Sequence, residues 1–162
     1  MAFAGARHRG AVGVGTLAAL TLVVVCGSPI FADWVNSNTT GATAGGLFFR
    51  TLAWPHWSFD GGAPARDLLA QDLKAILVVV LIAAFLTLVA GAELGRIRGG
   101  FAAFILGWTA CIFAGALAGF VAALFSAQIA LHVALVWATA GASYGFLAGW
   151  IIGLAQLIAR RS

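Results

Sequence analysis

The sequence predicts an all-α integral membrane protein. Four transmembrane helices form a bundle, the third and fourth make a tight glycine-ladder hairpin, and an aromatic-rich outer loop joins the first two. Three observations lead there. The 162 residues are 62% hydrophobic and only 9% charged, whereas soluble domains run near a quarter charged. Four stretches, about 11–32, 74–95, 101–125 and 128–158, are each long enough for a bilayer crossing, which takes about 20 apolar residues. Small residues recur at every fourth position in the last two stretches, and such rows let helix backbones approach closely in lipid. The length fits a single domain, 1–162.

The flanking charges orient the spans. Arg7 and Arg9 precede the first, Arg96 and Arg98 lie between the second and third, and Arg160 and Arg161 follow the fourth. All six fall on one side of a four-span topology. The other side carries Arg50, Arg66 and Lys74, diluted by Asp33, Asp60, Asp67 and Asp72. Cationic residues accumulate on the cytoplasmic side. The expectation is therefore a multi-pass protein of the cytoplasmic (inner) membrane, with both termini inside and the loop 33–73 outside. Eight Arg against one Lys, with abundant Ala and Gly, is the composition of a high-GC bacterial genome.

The first span has two readings. It is either a retained helix or a signal peptide, with Arg7-His8-Arg9 as the basic flank and cleavage after Ala32. The outer loop divides in two. Asn36 to Gly46 is polar and Gly-rich and reads as a flexible turn region. Leu47 to Phe59 carries Phe48, Phe49, Trp54, Trp57 and Phe59. Such rings favour the membrane interface, so this segment is a belt at the outer leaflet or a docking face for a partner. Pro64 occupies a plausible first helical position after Gly61-Gly62, so the second helix is expected to begin above the membrane. Glu93 near its far end has an ordinary partner in Arg96, three residues on.

Only Ser126, Ala127 and Gln128 separate spans three and four, which makes them antiparallel neighbours. One ladder runs Ala103, Gly107, Cys111, Gly115, Gly119, Ala123, and the other Gly141, Gly145, Gly149, Gly153. A row at every fourth residue drifts about 40° per step round a helix, so the span-three ladder is expected to serve a second neighbour too. Span four carries a second stripe of Gln128, His132, Thr139, Ser143 and Trp150, roughly 180° from Gly141 at the depth of His132. Polar groups in a bilayer usually face a bundle interior or a watery cavity, so this helix is expected to be wedged between neighbours.

No cluster of reactive residues is visible. Cys26 and Cys111 have no metal spacing and read as small packing residues. Gly13-Val14-Gly15 resembles a dinucleotide fingerprint only inside an apolar run with no preceding strand. His56, Ser58 and Asp60 are crowded in sequence, but a triad is made by tertiary geometry. The basic residues form no face that fits a nucleic acid. The expectation is a non-catalytic accessory, assembly or scaffold subunit, without cofactor or metal. Its partners would be other membrane protein subunits or copies of itself, together with lipids. The alternative is a small oligomeric channel or transporter with a pathway along Gln128, His132, Thr139 and Ser143. A third reading, an enzyme acting on a lipid or a quinone-like molecule, would draw on His56, Asp60, Asp67 and Asp72.

Overall fold

The computed structural model describes residues 2–57, 62, 64–93, 100–127 and 130–161, and among these every regular element is a helix. The order is α1 (Ala2–Cys26), α2 (Pro29–Asn38), α3 (Ala44–Leu52), α4 (Ala65–Glu93), α5 (Gly100–Ala123) and α6 (Leu131–Arg161). The stretches Ala65–Leu88 and Leu131–Ala155 are each long and apolar enough to cross a membrane. The pair Gly13–Cys26 and Pro29–Asn38 makes a third if its 60° bend lies within one span, and Gly107–Ala123 is a shorter apolar helix.

The first span expected over 11–32 is not one straight helix. α1 stops at Cys26 and α2 leaves at 60°. The local cause is Ser28-Pro29. The Ser28 hydroxyl accepts from the Phe31 N–H (3.3 Å) and caps a new helix, with Pro29 in its first turn. Proline cannot donate the amide that would continue α1. Gly27 is needed at the bend, because a Cβ there would lie 2.7 Å from the Pro55 carbonyl oxygen. The Trp57 N–H donates to the Gly27 carbonyl (3.1 Å), so the 53–57 segment straps across the bend.

The outer loop is also more ordered than a turn region. α2 runs to Asn38, inside the stretch read as flexible, and α3 begins at Ala44. The threonines explain this. Thr39 Oγ1 donates to the Val35 carbonyl (2.6 Å) at the end of α2. Thr43 Oγ1 accepts from the Gly46 N–H (3.1 Å) at the start of α3. The Arg50 guanidinium then donates to the Thr39 carbonyl (3.0 Å) and ties the two helices. α4 begins at Ala65, with Pro64 just outside it.

The four long helices pack in a closed order. α5 lies mainly against α6 and then α4, while α1 touches both α6 and α4. The second neighbour of α5 is thus α4 of the same chain. The shared core is built from Val23 of α1, Val78, Ile82 and Leu86 of α4, Cys111, Ala114 and Ala118 of α5, and Tyr144, Ala148 and Ile152 of α6. Its small residues bring backbones close, which is how helices gain packing energy where lipid replaces water. Asp67, in the first turn of α4, accepts from the Ala127 N–H (2.9 Å). The start of α4 and the α5–α6 turn therefore share one end of the molecule.

Candidate functional site

Two places in the structure concentrate the chain's distinctive residues. The first is the seam between α5 and α6. A Cβ on Gly115 would collide with the Gly141 carbonyl, one on Gly145 with the Cys111 carbonyl, and one on Gly119 with the Trp137 carbonyl. These are backbone-to-backbone approaches that only glycine permits. Farther along, the obstacle changes. A Cβ on Gly149 would meet Trp108 Cδ1 at 2.6 Å, and one on Gly153 would meet the Phe104 ring at 2.6 Å. Trp108 also donates its indole N–H to the Phe146 carbonyl (2.8 Å), a cross-helix bond within the apolar seam. Gly107 is buried on the same helix.

The stripe on the other face of α6 lies on the outside of the chain. His132, Thr139, Ser143 and Trp150 are all exposed, so no neighbour among the described residues wedges that face. The physical reason is that α5 and α1 take up the glycine and alanine side of α6. The hydroxyls are satisfied locally: Thr139 donates to the Leu135 carbonyl (2.8 Å) and Ser143 to the Thr139 carbonyl (3.0 Å). Gln128, Phe59, Ser58, Asp60 and Arg96 lie outside the described residues.

The second place is a cavity of about 650 Å³ at the end that carries α2, α3 and the start of α4. Its polar lining includes Asp33 from α2, Arg50 from α3, His56 from the strap, and Gln71 and Lys74 from α4. Trp54, Trp57 and Trp137 form much of its apolar wall. Lys74 is the centre of interest because it is only 4% exposed. It belongs to the stripe Ala70, Lys74, Val78, Ile82, Leu86, whose other members are apolar and buried. Helical spacing puts all five on one inward face. The ammonium sits 5.1 Å from the Trp54 ring centroid and 5.5 Å from that of Trp137, within the reach of cation–π attraction. Trp54 in turn lies against the fully buried Tyr144, with ring centroids 5.8 Å apart and planes tilted by 33°. The Tyr144 hydroxyl has no hydrogen-bond partner among the described residues.

His56 hydrogen-bonds to Gln71 and to the backbone of Ala53 and Trp54. Partial burial, and then the nearby Lys74 charge, hold its pKa below the ordinary 6.5, so the ring is neutral at neutral pH. The aromatic residues expected to dock outward divide between two settings. Trp54, Trp57 and Phe48 are half-buried and pack against the core. Phe49 joins Phe31 and Trp34 in an aromatic cluster on α2 and α3, with centroids 5.7–6.5 Å apart.

Sequence reasoning counted Lys74 only as one of the outer positive charges. The signal that marks it was present. It is the sole lysine of the chain, and the apolar every-fourth-residue row through Ala70, Val78 and Ile82 runs straight across it. Trp137, Arg50 and Gln71 had no comparable signal, because their meeting depends on the bend at Ser28 and on α3. No family model, curated protein or solved structure matches the chain.

Proposed function

We propose that this protein is a four-span component of the cytoplasmic membrane with both termini inside, and that it acts as a non-catalytic accessory or assembly subunit of a larger membrane complex. α5, at 24 residues, is about 36 Å long and antiparallel to α6, so it completes the set of spans with α1, α4 and α6. α2, α3 and the α5–α6 turn then form the outer end. The glycine faces are spent inside the chain, on the seam just described, so association falls to other surfaces.

The single observation that carries the subunit reading is the aromatic platform of α2 and α3. Phe31, Trp34 and Phe49 brace one another there, beside an Ile30 that is 82% exposed and a Leu47 that is 56% exposed. Braced, rigid rings on an exposed face are the kind of anchor from which interfaces draw most of their energy. The occupant proposed is an apolar face of another membrane subunit. Affinity purification of the tagged protein from its native membranes in mild detergent tests this. A stoichiometric partner should co-purify with the wild type and be lost from Trp34→Ser and Phe49→Ser, with the variants still folded. A protein that purifies alone, or a partner retained by both variants, contradicts it.

The alternative of an oligomeric channel or transporter has one observation in its favour. His132, Thr139 and Ser143 lie on the exposed face of α6, where copies of the chain meeting side by side would enclose them. That reading requires a homo-oligomer with flux in liposomes, lost in Ser143→Leu.

A further inference from the structure

We propose that the outer cavity is a binding site for a phosphate-bearing anion, with Lys74 as the charged anchor and the indoles of Trp54 and Trp137 as its walls. The inference goes beyond the subunit reading and stands independently of it. It begins with the position of Lys74, nine-tenths buried in a row of apolar residues on α4. Burying an ammonium is costly unless it is paired. The two indole faces offset part of that cost. An anion entering the cavity would offset the rest.

The charges around the cavity fit such an occupant. Lys74 and Arg50 line the cavity together with one carboxylate, Asp33, so cations outnumber carboxylates two to one among its described lining residues. Neutral His56 and Gln71 add polar groups that can orient oxygens. A volume of about 650 Å³ lies in the range of small-molecule sites, ample for a phosphate together with its substituent. The location also fits. Val136, Trp137 and Ala140 give the cavity an apolar side on α6, while Asp33 and Asn36 sit on α2 at the outer end. That combination suits a phosphate carried on an apolar tail, such as a lipid headgroup, as well as a free phosphate.

The test uses the full chain in detergent and in phosphatidylcholine nanodiscs. Native mass spectrometry measures retention of added phosphatidylglycerol over phosphatidylcholine. Thermal unfolding in inorganic phosphate against chloride at equal ionic strength measures the free anion. Selective phosphatidylglycerol retention identifies a lipid headgroup as the source, and stabilisation by phosphate alone identifies the free anion; either supports the site. Lys74→Met should weaken whichever binding occurs by at least about tenfold, and Lys74→Arg should restore most of it. His56→Asp places a carboxylate beside Lys74. It should also displace the ligand while raising thermal stability, which gives a second reading if Lys74→Met does not fold. Absence of both kinds of binding in the wild type overturns the proposal, as does binding that His56→Asp or a folded Lys74→Met leaves unchanged.

Discussion

At the scale of single residues, the end of the molecule that carries the cavity is governed by groups whose burial is only partly compensated. His56 is the titratable example. Burial and the Lys74 ammonium make the folded chain a poorer proton acceptor at this ring than the unfolded chain. As pH falls below about 6.5 the unfolded chain takes up the proton first, so stability that is full above that pH is lost on acidification. Lys74 on α4, Arg50 on α3 and Asp33 on α2 are the charges that share this cavity with it. Thermal unfolding in detergent should show a lower midpoint at about pH 5.5 than at about pH 7.5, and His56→Gln should shrink the difference. An unchanged difference would remove His56 from the account. Tyr144 makes the opposite kind of prediction. Its hydroxyl is buried without a partner among the described residues, and a buried unsatisfied polar group costs about 1–3 kcal/mol. Tyr144→Phe should therefore raise the unfolding temperature, and a lower one would mean that the hydroxyl has a partner of its own.

At the scale of elements, the α5–α6 seam predicts a graded series. A methyl group on Gly115 or Gly145 meets backbone of the opposite helix, which cannot step aside without separating the pair. A methyl on Gly153 meets the Phe104 ring, which can rotate. Gly115→Ala and Gly145→Ala should each cost at least about 1–3 kcal/mol, and Gly153→Ala clearly less. Leu at Gly145 or Gly149 should disrupt the monomer outright. Equal effects along the series, read by thermal unfolding, would contradict the close seam. At the bend, Ser28→Ala removes the cap of α2 and should cost about 1 kcal/mol. These elements differ in how legible they were. The pairing of α5 with α6 could be read in sequence because their connection is short, although it is longer than the three residues expected, since α5 ends at Ala123 and α6 begins at Leu131. The bend could not, since Gly27-Ser28-Pro29 looked like the end of an apolar run. Its dependence on the Pro55 carbonyl and the Trp57 amide arises from residues nearly thirty positions away. α3 was missed for a related reason. Ala44-Gly45-Gly46 has poor intrinsic helix propensity, and the Thr43 cap, the Arg50 tie to Thr39 and the packing of Phe48 and Leu52 on the core offset it.

For the whole molecule, the sequence carried the helical class and its long apolar segments, because hydropathy is a property of contiguous segments. It did not carry the cavity, which is assembled from α2, α3, the strap, α4 and α6 at once. Nor did it reveal that the polar stripe of α6 faces outward. The charge of a residue is visible in sequence, whereas the side of a bundle on which it falls depends on which face the neighbours choose. The central claim is the proposed topology, in which α2, α3 and the start of α4 share one end with the α5–α6 turn, to which the Asp67–Ala127 bond ties α4, and in which that end is proposed to lie outside. The most direct test labels single cysteines with a membrane-impermeant maleimide in intact and lysed cells, with the wild type, whose Cys26 and Cys111 lie half-buried and buried, as background. Ala42→Cys and Ala127→Cys should both react in intact cells, and Arg161→Cys only after lysis. Labelling of positions 42 and 127 from opposite sides of the membrane, or of position 161 from outside, would contradict the account.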